Sequence, residues 1–288
     1  MFEAPTHELL VPFDGSCRVA DRPTLPAKKT LRAEDWEKRL EEAKREIGRL
    51  QHKLFADQRY ALLLIFQALD AAGKDSTIRH VLTGVNPTGL HVVSFKRPSA
   101  VESAHDFLWR TTHHLPERGC IGVFNRSYYE EVLVVRVHPE FLSTQRLDVD
   151  ASPEFWRRRY ESIAAHEEHL ARSGTVILKF WLNVSKEEQR ERLLKRLDEP
   201  NKRWKFNPED VKERDHWDEY QRAFEACLNA TSRPWAPWYA VPADNKPFMR
   251  YQVAEIICNS LSQLKIDFPT LSEDHTKGLE AARRALRD

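Results

Sequence analysis

Residues 62–82 read LLLIFQALDAAGKDSTIRHVL. Leu62–Phe66 is an unbroken apolar run, as expected for a parallel strand covered on both faces. A turn of small residues follows, and then a helix start. A strand, a small-residue turn and a helix whose first amides face outward together make a phosphate-binding loop. Gly73 lets the backbone approach an anion closely, and Lys74 is placed to reach a terminal phosphate as a point charge. The cradle is then Ala71, Ala72, Gly73, Lys74, Asp75 and Ser76. It departs from the consensus GxxxxGK[ST]. Ala68 stands where the first glycine belongs, Asp75 stands where the metal-binding hydroxyl belongs, and Ser76 comes one residue late. Asp70 sits inside the cradle, where a carboxylate would repel a bare polyanion. A divalent cation between the two removes that conflict, so Asp70 reads as a metal ligand or an acceptor-positioning residue. Taken alone, the loop also fits an ordinary connection in which Asp70 caps the helix.

Four more apolar runs punctuate the chain: LHVVSF (90–95), CIGVF (120–124), GTVILKFWL (174–182) and WYAVP (238–242). Helical stretches lie between them, including STIRHVLTGV, AVESAHDFLWRTTHHL and SPEFWRRRYESIAAHEEHLARSG. In the last of these Ser152 is the expected N-cap, Pro153 occupies the first turn and Gly174 lies just past the end. This alternation predicts an α/β fold with a doubly wound parallel sheet. Ahead of it, residues 1–30 read as an extended arm containing Pro5, Pro12, Pro23 and Pro26. Leu31, Trp36, Leu40, Ala43, Ile47, Leu50 and Leu54 then mark one face of a packing helix.

In an open α/β sheet the ligand lies beyond the carboxyl ends of the strands. Asn125 and Arg126, at the end of the third run, therefore share a rim with the loop. Asn125 takes the place of a Walker-B acid, and Arg126 is a fork for phosphate. One of Glu130 and Glu131 follows into the site, with Glu130 favoured. Lys96 and Arg97 lie on the same rim after the second run. After the fourth run, Ser185 and Glu188 form a capping box. From Arg190 to Lys205 there are then seven basic and three acidic residues. Arg192 and Arg196 share a helix face, with Lys202 and Arg203 beyond. A basic helix and loop in this position serve as the mobile lid of a P-loop kinase. His105, His113 and His114 lack a carboxylate or cysteine partner and read as structural or surface residues.

The segments ALDAAGKDSTIRHV, SFKRPS, HDFLWR, FNRSYYEEVLVVRVHP, SKEEQRERLLKRL, KFNPEDVKERDHWDEY and PWYAVPADNK run in order from about residue 60 to 247. In them the chain resembles the polyphosphate kinase 2 family of nucleotide phosphotransferases. The resemblance implies a P-loop kinase-like three-layer αβα sandwich with a central, mostly parallel five-stranded sheet and a helical lid. The divisions are then an arm and packing helix (1–57), a kinase domain (58–270) with its lid at about 185–215, and a tail or short helix (271–288). The resemblance also implies Mg2+-dependent transfer between inorganic polyphosphate and a nucleotide, in a homodimer or homotetramer. The family's loop Asp and Lys match Asp70 and Lys74, and its lid arginines map onto Arg192 and Arg196. NRS stands here for the DRS of one branch. The Asn form looks like the class III branch, which is associated with phosphorylation of both AMP and ADP, with guanine nucleotides as further acceptors to test. On this basis Asp70, Lys74, Arg126 and Arg192 are the expected catalytic residues. Asp70, Asn125 and Glu130 would surround the metal, and Lys96, Arg97, Asn125, Arg126 and Glu130 would face the nucleotide.

The remaining composition sets limits. The chain has 288 residues, is 41% hydrophobic and 31% charged, and carries a net charge of +1. No global field points to nucleic acid or membrane. Cys17, Cys120, Cys227 and Cys258 are scattered, with no zinc spacing. The N-terminus lacks a signal peptide's basic and apolar regions, so a reduced, cytoplasmic protein is expected. Two rivals remain: an ATP-dependent nucleoside-monophosphate or small-molecule kinase on the same fold, and a module that binds nucleotide or polyphosphate without turnover. No NKxD motif supports a GTPase.

Overall fold

The computed structural model describes residues 2–27, 32–147 and 149–287. Leu31, counted above in the apolar stripe, lies outside them. In chain order the elements are α1 (Ala33–Asp57), β1 (Ala61–Gln67), α2 (Lys74–Leu82), β2 (Leu90–Ser94), α3 (Ala100–Ser103), α4 (Trp109–Thr112), β3 (Ile121–Asn125) and α5 (Glu130–Val137). They continue with α6 (Pro153–Arg172), β4 (Thr175–Asn183), α7 (Lys186–Asp198), α8 (Glu209–Lys212), α9 (Trp217–Thr231), β5 (Trp238–Pro242), α10 (Lys246–Gln263) and α11 (Glu273–Ala285). The sheet has five strands in the order β2-β3-β1-β4-β5, and every pairing is parallel.

The central strand shows why the run from Leu62 to Phe66 has no polar break. Leu62, Leu64 and Phe66 enter one core, shared with α1, α2 and α10. Leu63 and Ile65 enter the other, shared with α5, α6 and α9. With side chains alternating across the sheet and helices on both faces, each position is apolar. On the first face Trp36 of α1 lies edge-on to Phe248 at 5.2 Å and tilts against Tyr251 at 5.2 Å, which locks α1 to α10. On the second face α6 begins as expected. Ser152 Oγ accepts a hydrogen bond from Phe155 N at 3.2 Å, and Gly174 follows with φ +92°.

The arm is part of the sheet. Leu10 bridges antiparallel to Tyr239, Val11 N donates to Trp238 O at 2.9 Å and Ala240 N donates to Leu9 O at 2.9 Å. The arm thereby covers the outer edge of β5, which would otherwise offer unpaired backbone groups.

Two local expectations need correction. Residues 100–115 do not form one helix but break into α3 and α4. Asp106 is the cause: its Oδ1 takes the amides of Leu108 at 2.9 Å and Trp109 at 3.1 Å and restarts the chain. The Ser185–Glu188 capping box is half formed. Ser185 Oγ accepts from Glu188 N at 3.1 Å, but Ser185 N donates to Asp244 at 2.8 Å and Glu188 accepts from Arg192 at 2.8 Å instead. The lid region is α7 followed by short turns and α8, leading into α9. The C-terminal stretch is the exposed helix α11, capped by Ser272. Among the described residues no helix is long and apolar enough to cross a membrane.

Candidate active site

The carboxyl ends of β1, β3 and β4 lie side by side, so the loops that follow them meet on one rim. The loop after β1 is shaped by two left-handed residues, Ala71 at φ +63° and Gly73 at φ +109°. A Cβ at Gly73 would meet Met249 Cε at an ordinary 3.4 Å, so it is the left-handed backbone rather than packing that selects glycine there. α2 begins directly at Lys74. The Lys74 side chain is buried and curls back, and Nζ donates to Ala68 O at 2.7 Å and Leu69 O at 3.2 Å. Burial, reinforced by the neighbouring Arg126, pulls its ammonium down to about 8 against the opposing pull of Asp70, Glu130 and Asp75.

Arg126 is the hub of the site. Its backbone is left-handed, with φ +64°, and its N–H donates to Phe66 O at 3.0 Å, which keeps it in register with β1. One arm of the guanidinium pairs with Asp70. The other holds Glu130 Oε2 at 2.8 Å. Gln67 Nε2 approaches Glu130 Oε1 at 3.2 Å. Glu130 is therefore the carboxylate that faces the site. Glu131 turns away into a buried pairing with Arg159 at 3.1 Å and Gln145 at 2.7 Å. Burial works to raise the Asp70 carboxyl, but Arg126, Lys74 and Arg196 together hold it below its ordinary value. Asn125 Nδ2 donates to Asp75 Oδ1 at 2.7 Å.

The lid divides into residues that reach this cluster and residues that do not. Arg196 lies close enough to act on Asp70 and pairs with Asp210 of α8 at 3.1 Å. Arg192 does not present a free guanidinium to the rim. It is buried and donates to Ala72 O at 2.6 Å, Ala71 O at 3.3 Å, Ala243 O at 2.5 Å and Glu188 Oε1 at 2.8 Å. Lys202 pairs with Glu199, and Arg203 Nε donates to Leu197 O at 2.8 Å. Both serve the lid's own turn and both are exposed. Ser76 Oγ donates to Gly73 O at 3.0 Å, within its own helix turn. Lys96 and Arg97 are exposed at the rim. Lys96 O accepts from Arg110 at 2.8 Å, and Arg97 lies 5.7 Å over the Phe141 ring. The structure thus brings together Asp70, Lys74, Asn125, Arg126, Glu130 and Arg196. It leaves Ser76, Arg97, Lys202 and Arg203 engaged elsewhere and Lys96 exposed at the rim, and makes Arg192 a backbone clamp. The histidines read as structural are engaged in ring packing. His105 stacks on Trp109 at 4.0 Å, His113 lies edge-on to the same ring and His114 meets Phe95.

Sequence reasoning missed several residues. Gln67 lies outside every motif, although a glutamine closing an apolar strand is a visible oddity, and Gln189 and Asp210 lie inside family segments without being singled out there. Gln189 Nε2 donates to Asp70 O at 3.0 Å and its Oε1 accepts from Arg214 Nη1 at 2.6 Å, so it ties the lid to the loop. Burial and the nearby Asp70 push the Asp210 carboxyl up.

Among the described residues no group of three or more His, Cys, Asp or Glu is placed to cage a metal. Mg2+ is commonly bound through one or two carboxylates plus substrate phosphates. Asp70 and Glu130, spanned by one guanidinium, provide two such carboxylates on one side of the loop.

Comparison with known proteins gives a consistent picture. A family model described as Polyphosphate kinase 2 matches residues 30–269. An ADP-polyphosphate phosphotransferase of Rhodopseudomonas palustris is 54% identical over 239 residues, which is 82% of this chain and 83% of that protein. An AMP/ADP-polyphosphate phosphotransferase of Meiothermus ruber is 44% identical, over 78% of this chain and 80% of its own length. The crystal structure of a polyphosphate kinase 2 from Arthrobacter aurescens TC1 superposes with a TM-score of 0.88 at 36% identity, covering 99% of this chain and 97% of that one.

Proposed function

The chain belongs to the polyphosphate kinase 2 family, and from that premise we propose that it moves the terminal phosphoryl group of inorganic polyphosphate onto AMP and ADP, reversibly and in one in-line step. The observation that carries this is the convergence of Asp70, Lys74, Glu130 and the lid's Arg196 around Arg126. Phosphoryl transfer through a loose transition state asks for alignment and charge neutralisation, not for a protein nucleophile. This cluster supplies cations from three different elements and needs no phosphohistidine.

In this reading the amides at the start of α2, with Lys74, hold the end of the polyphosphate chain. Arg126 turns one arm of its fork to the acceptor's phosphate. Arg196 closes over the transferring group and excludes water. Asp70 and Glu130, with the Asn125 amide, are the residues that would hold Mg2+. When bound, that ion neutralises phosphate oxygens and keeps donor and acceptor in line. Arg192 fixes the loop's carbonyls so that the opposite edges of those peptides face the anion. The names of the two relatives differ on AMP, so AMP acceptance is the finer part of the proposal. A homodimer or homotetramer in the cytoplasm completes it.

The test is ATP formation from purified protein, Mg2+ and long-chain polyphosphate, with AMP or ADP as the only nucleotide. Asp70→Asn is run alongside. ATP from both acceptors, lost in the variant, is expected. ATP from ADP alone overturns the AMP assignment. Activity that requires a nucleoside triphosphate donor overturns the polyphosphate assignment, and tight binding with no turnover would make the protein a binding module.

A further inference from the structure

The middle of β4 carries a lysine inside an apolar run. Lys179 is fully buried, as is Glu167 of α6. All three protons of the Lys179 ammonium are used: it donates to Glu167 Oε2 at 2.5 Å, Thr231 O at 2.8 Å and the Tyr129 hydroxyl at 2.9 Å. Glu167 Oε1 accepts from both the Tyr128 and Tyr129 hydroxyls at 2.8 Å. The ammonium also sits 5.3 Å from the centres of the Tyr129 and Trp238 rings. A closed network of this kind is an expensive way to fill a core. The desolvation of two charges is commonly not recovered, and apolar side chains of similar volume hold a fold as well or better. Two buried charges kept where apolar side chains would serve call for another account.

The account lies in what the network grips. Tyr128 and Tyr129 occupy the short stretch between Arg126 and Glu130, and Tyr129 is the residue from which α5 starts. Arg126 holds a left-handed backbone at φ +64°, a conformation that persists in a non-glycine residue only when its surroundings enforce it. On the upstream side, β3 and the bond from Arg126 N to Phe66 O do so. On the downstream side Ser127 Oγ accepts from Tyr129 N at 3.1 Å, and Tyr128 and Tyr129 add a longer-range anchor, with buried rings and hydroxyls that end on Glu167.

We propose that the Glu167–Lys179 pair, acting through Tyr128 and Tyr129, is the positioning device that holds Arg126 and Glu130 in place on the acceptor side of the site. The inference rests on the function proposed above for Arg126 and Glu130. Neither buried charge touches a reacting atom.

The test is the paired variant Glu167→Leu/Lys179→Met, which removes both charges and leaves neither stranded. It should still fold, with a lower melting temperature, because the Tyr128 and Tyr129 hydroxyls and Thr231 O lose their partners. The KM for the nucleotide acceptor should rise and kcat should fall, each about tenfold, while the KM for polyphosphate stays within about twofold. Amide hydrogen exchange over residues 126–131 should be faster, with α1 and α10 unaffected. A folded paired variant with wild-type acceptor kinetics and wild-type exchange overturns the proposal. If the paired variant does not fold, Tyr129→Phe carries the same comparison, with an expected threefold or larger loss in kcat/KM for the acceptor and faster local exchange. Its failure to show either also overturns the proposal. If wild type transfers no phosphoryl group at all, the functional reading has failed, and the exchange measurement alone still decides whether the pair holds Arg126.

Discussion

Arg192 and Lys74 do different work from what their residue types suggest. An arginine in a kinase lid is expected on phosphate, yet Arg192 is buried and spends its donors on three backbone carbonyls and Glu188. A lysine at this position would keep the charge but has a single nitrogen where Arg192 uses Nε and both terminal nitrogens. Arg192→Lys should therefore raise the KM for polyphosphate about tenfold and lower stability by about 2 kcal/mol, with the acceptor KM unchanged. Steady-state kinetics and urea unfolding check this, and an unchanged polyphosphate KM would show that the clamp does not shape the loop. Lys74 makes a pH prediction. Its ammonium titrates at about 8 in the fold, against 10.5 for the ordinary side chain. Below pH 8 the folded protein carries the full penalty of the buried charge. As pH rises from about 8 towards 10.5 the folded chain has released a proton that the unfolded chain still holds, so stability climbs. Measured in metal-free buffer, the unfolding free energy of wild type minus that of Lys74→Met should increase over this window. A flat difference would mean that the ammonium is solvated.

At the scale of elements, the lid segment shows where reading a sequence reaches its limit. Helix α7, its basic surplus and its place after β4 were legible, because charge and apolar spacing are written locally. Which of its cations faces the loop was not. Arg192 and Arg196 share a helix face, and only the packing of α7 against the loop and against Ala243 separates a buried clamp from a site residue. The partner of Arg196 is Asp210, from a separate short helix in the acidic stretch that follows the basic one. Their ion pair leaves only 24% and 14% of the side-chain surfaces exposed, so its Coulomb gain is set against the desolvation of both charges and its net contribution to stability is small. Its electrostatic effect on a polyanion is larger, because it places a carboxylate opposite incoming phosphate. Asp210→Asn is expected to leave stability close to wild type, because burial and Asp70 already disfavour the Asp210 charge, and to lower the KM for polyphosphate by roughly threefold at low salt. Raising the ionic strength should shrink that difference. A higher KM in the variant would instead make Asp210 a residue that the bound state needs.

For the whole molecule, the sheet and its order of elements were legible because a parallel strand with helices on both faces must be apolar at every position, and the five runs announce themselves. The buried lysine network was illegible as a network. Lys179 is visible as a charge in an apolar strand, but Glu167, Tyr129 and Thr231 join it only once β4 lies between α6 and α9. The arm was legible as extended chain and no more, since nothing local in residues 2–27 says which edge it covers. Its place has a consequence for the whole fold. Leu9, Val11, Cys17 and Val19 are buried, and the backbone of Leu9 and Val11 pairs with that of Ala240 and Trp238. Removing residues 2–24 strips apolar contacts from both cores at once and uncovers the β5 edge, a template for pairing with another chain. The truncated protein should melt about 10 °C lower and form larger species on warming, seen by light scattering. Val11→Pro separates the two contributions. It keeps most of the apolar bulk but deletes the 2.9 Å bond from Val11 N to Trp238 O, so it should reproduce a smaller fraction of the melting shift. A truncated protein that melts and scatters like wild type would mean that the arm rests on the sheet without supporting it.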